Sequence, residues 1–385
     1  MIVVVLVGAV QHRLACLGHE AAHYTLLNNR FWNEAVSDLF CIYPVFATTQ
    51  AYRVHHIGHH LYPNDWERDP NLLNGGQTKH FDRFPMEKKD FVFLYFLRFF
   101  WPPYLLRHLW DIFYVNALGS GIAPVPVGHD DENPDKLKLS MRPATALGIL
   151  YLTGLCASLF YGNSIGNPYL MLAPFVFLAV AILAVNLLPE NAFFKTPVRA
   201  VYSARFGALS RIVFYTALFS TAGYMRAFTG INIGFYFLLF WVLPVFMTFP
   251  YFMLLREVYQ HANADGGDLT NSRIFRNDWF TRWAIWTYGQ DVHLVHHLYP
   301  NVPHYKLDEL HDLLLRKSPD YASNVVEVHG TFRSRDDYPA IVDVMREMDP
   351  YGEIYESRNA PPTRSWHPKR KREGDSRRRA AAGTA

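Results

Sequence analysis

Four stretches of this sequence are apolar over about the thickness of a bilayer's hydrocarbon core, and that constrains the fold more than any other feature. They are "ATALGILYLTGLCASLFYG" (144–162), "YLMLAPFVFLAVAILAVNLLP" (169–189), "RIVFYTALFSTAGYMRAF" (211–228) and "INIGFYFLLFWVLPVFMTFPYFMLL" (231–255). A helix needs about 20 apolar residues to cross that core. Inside lipid, every backbone N–H and C=O must be satisfied within the protein, so segments of this length are helices. Pro244 and Pro250 in the last stretch are tolerated there as kinks. Residues 1–17 add a short span, apolar but without the basic start of a cleaved signal peptide. The expected fold is all-α: a polytopic integral membrane protein with a helical cap outside the bilayer.

The charges set an orientation. Lys136, Lys138 and Arg142 precede the first of the four stretches, and Lys195, Arg199 and Arg205 separate the second from the third. The links at 163–168 and 229–231 carry no charge. By the positive-inside rule the charged links, and the polar chain after Arg256, belong on the cytoplasmic side. The apolar stretches 39–53 and 91–106 would split polar motifs if they crossed, so they are read as interfacial or re-entrant helices. The resulting division is a membrane domain over 1–315, a cytoplasmic extension over 316–357 and a disordered basic tail over 358–385, containing "HPKRKREGDSRRR". A net charge of +3 gives no reason to expect a nucleic-acid partner. Cys16, Cys41 and Cys156 form no CxxC pair, so neither a disulfide framework nor a fused iron–sulfur module is expected.

Nine of the eighteen histidines fall into four groups at helical spacing, boxes one to four in chain order. "HEAAH" holds His19 and His23, and "HIGHH" holds His56, His59 and His60. "EVYQH" holds Glu257 and His261, and "HLVHH" holds His293, His296 and His297. Residues at i, i+3 and i+4 share one helix face. The hexapeptide "HHLYPN" closes the second and fourth groups, and Pro63 and Pro300 end each helix there. Imidazole suits iron, zinc, copper and nickel. Nine imidazoles exceed the four to six positions of one metal, so two metals are expected. Glu257, Glu20, His55, His12 and His304 stand close enough in sequence to be further ligands or to orient them.

"HEAAH", "HIGHH" and "HLVHHLYPNVPHYKL", with membrane spans between the second and third, resemble the membrane fatty acid desaturase/hydroxylase superfamily over roughly residues 8–315. That resemblance implies two iron ions held by His19, His23, His56, His59, His60, His261, His293, His296 and His297, facing the cytoplasm. It implies dioxygen as co-substrate, a separate ferredoxin or cytochrome b5 type electron donor, and a lipid substrate taken from the bilayer. Desaturation of a fatty acyl chain is the first expectation. Hydroxylation or ketolation of a lipid or carotenoid on the same scaffold is the second, and an intramembrane zinc protease using "HEAAH" is a remote third. In some relatives the place of Glu257 holds an asparagine near the metal, so Glu257 is expected to reach iron directly or through water. The resemblance also implies a full membrane hairpin before the first box. Eighteen residues precede His19, so a shortened first span or further chain upstream is expected.

Overall fold

The computed structural model describes residues 1–65, 69–73, 84–107, 143–167, 169–193, 198–335 and 338–346. These are mostly helical. Helix α1 (Ile2–Ala22) leads into α2 (Arg30–Ser37) and α3 (Thr49–Leu61); then come α4 (Pro143–Ile165), α5 (Ala173–Leu187) and α6 (Ala204–Thr229). A long helix α7 runs through Ile233–His261, with one π-helical stretch at Leu238–Val242. A cap follows: strand β1 (Ile274–Arg276), α8 (Trp279–Ala284), α9 (His293–Leu298), α10 (Leu307–Lys317), β2 (Glu327–His329) and α11 (Ile341–Arg346). The two strands pair in parallel, Phe275 opposite Val328.

Among the described residues, four helices are long and apolar enough to cross a membrane: Ile2–Ala22, Ala146–Ile165, Leu170–Leu187 and Ile233–His261. The third of these has the highest hydropathy of the four and the smallest buried share. Its Phe175, Val176, Val180, Leu183 and Leu187 point outward. In a water-soluble fold the greasiest helix would be the best covered, so this inversion marks a face for lipid. The expected span at 211–228 lies within α6, whose Arg205, Arg211 and Arg226 leave it outside that set of four. It packs on α4 and α5 through residues four apart: Tyr151, Leu155 and Leu159, Ala181 and Val185, Ala208 and Ile212. Arg205 closes the α5–α6 turn by donating to Val185 O (3.1 Å) and Leu188 O (2.9 Å), carbonyls left over at the end of α5.

Helices α1 and α7 run side by side in the same direction. Thr248 Oγ1 donates to Val4 O at 2.8 Å near one end, and Arg256 Nη1 to Cys16 Sγ at 3.3 Å near the other. Gly8 permits this approach, because a Cβ there would stand 2.0 Å from Thr248 Oγ1 and 2.9 Å from the backbone N of Phe249. The threonine can turn aside but the backbone cannot. Gly8→Ala should therefore destabilise the fold by about 1–3 kcal/mol, as overpacking does. A melting temperature equal to wild type in detergent would contradict this helix contact.

The 39–53 region is two elements. A π-helical stretch (Asp38–Ile42) and a 3-10 turn (Tyr43–Val45) stop at Phe46, which has φ +64°. The chain restarts at α3, where Thr48 Oγ1 accepts Ala51 N–H (3.2 Å) and Asp38 Oδ1 accepts Thr49 N–H (2.8 Å). A proline at position 44 and a capping threonine override the apolar continuity. Over 91–106, helical segments Lys88–Val92, Phe93–Leu97 and Arg98–Phe100 bury Phe91, Leu94, Tyr95 and Phe99, while Phe93, Leu97, Phe100 and Trp101 face out. The buried side joins the end of α7, β1, β2 and α11 in one core. That core crosses the boundary expected at 315, so the described part of the extension packs within the same body. The tail at 358–385 and the link residues Lys136, Lys138, Arg142 and Lys195 lie outside the described residues.

Candidate metal centre

The histidine groups come from helix ends that are fixed from outside. Box one ends α1, whose terminal carbonyls need donors. Arg53 of α3 supplies them, giving Nε to Ala22 O and Nη2 to Ala21 O, both at 3.0 Å. Asn33 Nδ2 also reaches Ala21 O, at 2.9 Å. The same guanidinium pairs with Glu34 of α2 through both carboxylate oxygens and lies 4.3 Å from the Tyr24 ring centroid. All of Arg53 and Glu34 is buried. Thus α1, α2 and α3 are locked together at the point where His19, His23 and the α3 histidines meet. At the end of α7, Arg273 does a similar job, donating to Tyr259 O at 2.8 Å and to Ala262 O.

All nine predicted histidines converge, in two sets. His19, His23, His56, His60 and His296 form one; His59, His261, His293 and His297 form the other. Within each set the ligand nitrogens lie within 4.8 Å of one another. The division follows a rule. Each H-x-x-H-H triplet sends its i,i+4 pair to one set and its middle histidine to the other. His56 and His60 join the first set and His59 the second; His293 and His297 join the second and His296 the first. The two "HHLYPN" helix ends therefore contribute as mirror images.

The chemistry of these nitrogens fits metal. His261 Nδ1 lies 3.0 Å from Asn271 O, which can only accept, so Nδ1 carries the proton and Nε2 presents a lone pair. That Nε2 is 3.1 Å from His59 Nε2 and 2.9 Å from His293 Nε2, and His293 Nε2 is 3.1 Å from His297 Nε2. In the other set His60 Nε2 is 3.0 Å from both His56 Nε2 and His296 Nε2. His19 Nε2 and His23 Nε2 are buried with no hydrogen-bond partner among the described residues. Lone pairs this close repel unless a cation lies among them. Nitrogens about 2.0–2.1 Å from one metal and at right angles lie about 3 Å apart.

Electrostatics also favour ligation. Burial first, and then the neighbouring imidazoles, hold His56, His60, His293, His296 and His297 well below the ordinary histidine range. His23 is lowered to about 3, again chiefly by burial. These rings stay neutral, the form that binds metal. His59 differs: burial lowers it, but the Asp69 carboxylate outweighs that and raises it.

The five other candidates lie outside both sets. Glu20 Oε2 accepts from His304 N (3.1 Å) and His304 Nδ1 (3.0 Å), tying box one to the segment after box four, and Oε1 stands 3.7 Å from His19 Nδ1. His55 Nε2 meets Asn71 Oδ1 at 2.6 Å, and Asn71 Nδ2 donates to Glu257 Oε1. His12 Nδ1 donates to Ala284 O at 3.1 Å. Sequence reading missed Asp69, Asn71, Asn64 and Arg53, which act through the ligands or the helix ends. Only the acidic residue soon after box two, in "DWERDPN", hinted at one of them.

The family model described as fatty acid desaturase matches residues 1–215 and 177–328. The dihydrorhizobitoxine desaturase of Bradyrhizobium elkanii is 46% identical over 70 residues, a stretch covering 18% of this chain and 20% of that protein.

Proposed function

Because the chain belongs to the fatty acid desaturase family, we propose that it is a membrane oxidoreductase that uses dioxygen and two irons to desaturate a lipid, with a fatty acyl chain as substrate. The observation carrying this reading is the convergence of nine imidazoles into two adjoining sets. A protease built on "HEAAH" would use two of them and leave seven without a role.

His19, His23, His56, His60 and His296 would hold one iron, and His59, His261, His293 and His297 the other. When bound, the irons with dioxygen and two electrons supply the oxidant that no side chain can provide for an unactivated methylene. The protein's own part is placement and insulation. Leu294 and Val295, both fully buried, line α9 between its ligands, and Tyr52 stacks on His56 at 5.3 Å. Glu257 precedes His261 by one turn, as His19 precedes His23. It thus occupies the place where a tenth ligand would make the two sets equal, and we assign it a role at the second iron, directly or through water. The substrate enters from the bilayer. Its position over the site, a matter of ångströms, decides between a double bond and an alcohol.

The site is assigned to the cytoplasmic face, where the charged links and the cap fall by the positive-inside rule, and a ferredoxin or cytochrome b5 type donor would reach it there. Purified chain should carry about two irons and little zinc. Expression in a host lacking the activity, followed by mass spectrometry of its lipids, should reveal new double bonds. One zinc without iron would overturn the reading. New hydroxyl groups would assign a hydroxylase instead. The relative's name gives dihydrorhizobitoxine as what it desaturates, so the non-lipid extract of the host belongs in the same measurement.

A further inference from the structure

Among the described residues, His59 is the one histidine of the nine with a ring nitrogen within about 3 Å of a carboxylate oxygen; His19 Nδ1 stands 3.7 Å from Glu20 Oε1. His59 Nδ1 lies 3.0 Å from both Asp69 Oδ1 and Asp69 Oδ2. Asp69 is 1% exposed. Its remaining acceptor capacity is used by two backbone donors, Asn64 N to Oδ2 at 2.8 Å and Asn71 N to Oδ1 at 2.9 Å. Four contacts on two oxygens leave this carboxylate no freedom to turn, and it fixes the proton of His59 on Nδ1.

Asn64 does more than donate that N–H. It sits in the left-handed region at φ +62°, at the end of the first "HHLYPN". Its side-chain Nδ2 reaches Asp265 O at 2.7 Å and Asn271 O at 2.8 Å. Asn271 O is also the acceptor of His261 Nδ1. One residue therefore touches the partner of His59 and the partner of His261. The corresponding asparagine of the second hexapeptide, Asn301, is exposed. The repeat is symmetric in its ligands and asymmetric in its support.

We propose that Asp69 and Asn64 are positioning residues that aim His59 and His261 and set the affinity of the four-histidine site independently of the five-histidine site. This rests on the two-iron reading above. Removing such a partner of a ligand histidine lowers metal affinity by about 10–100-fold. The negative charge matters as well as the geometry, because it offsets the charge of a cation held otherwise by neutral imidazole.

The test uses the full chain loaded with iron. Asp69→Asn keeps the size and one acceptor oxygen but loses the charge. Iron release to a chelator should become biphasic, with one of two irons leaving about 10–100-fold faster and the other at the wild-type rate. Of the two iron environments seen by Mössbauer spectroscopy, one should shift. Asn64→Gly, which suits the positive φ, should speed the same iron by a smaller factor and serves if Asp69→Asn does not fold. Glu20→Gln should leave that iron unchanged. Unchanged release in both variants, or equal acceleration of both irons, would overturn the inference. Wild-type chain without two irons would instead overturn the two-iron reading itself.

Discussion

Chain carrying His261→Ala should retain about one iron in place of two and form no detectable product. His261 Nε2 is central to its set, close to both His59 and His293. Its loss reduces four ligands to three and leaves the Asn271 carbonyl without that donor. The five-histidine set shares no ligand with it, so its iron should stay. His296→Ala makes the complementary case. Five ligands become four, so most iron should be retained, yet the ring that joins α9 to the first set is gone. Product formation should fall at least about 100-fold in both, beyond the cost of disturbing a supporting group alone. His55→Ala and His304→Ala remove imidazoles outside both sets and should cost less than about tenfold. Iron content by mass spectrometry and lipid analysis on the same preparations separate these outcomes. Two irons and normal product in His261→Ala would end the assignment of ligands.

The nine histidines that the structure gathers into two sets are legible in the sequence because their signal is local. Spacing of i, i+3 and i+4 places imidazoles on one face wherever the helix goes, and Pro63 and Pro300 mark where it stops. The four helices able to span a membrane were legible for the same reason, since length and apolar content suffice. What could not be read was the partition. Whether His59 sides with His56 or with His261 depends on how the ends of α1, α3, α7 and α9 meet, and no spacing records that. The break at Phe46 is not legible either, because a run of apolar residues conceals a proline and a threonine cap. Asp69 and Asn64 are hidden because they touch partners through backbone donors and carbonyls, groups that every sequence contains. The pairing of Arg53 with Glu34 spans two helices and an intervening turn, and each residue alone looks like ordinary surface charge.

That last pair carries the largest expected effect on stability. Arg53→Met should destabilise the folded chain by about 3–5 kcal/mol, the cost of leaving one member of a buried ion pair without its partner. Glu34 would be left buried and charged, the Ala22 carbonyl would lose its donor, and the Ala21 carbonyl would keep only Asn33 Nδ2 and the Tyr24 N–H. The double variant Arg53→Met/Glu34→Leu removes the stranded charge, so it should regain much of the loss. It should not regain all of it, because the Ala22 carbonyl stays without a donor, at about 1–3 kcal/mol where no water reaches it. The residual defect has a location. That carbonyl ends the helix that bears His19 and His23, so the double variant should fold and still lose iron selectively from the five-histidine set. Thermal unfolding followed by tryptophan fluorescence, with iron release on the same samples, reads both effects. If Arg53→Met melts with wild type, or if the double variant holds both irons as tightly, then the guanidinium is not what fastens the first box to the second.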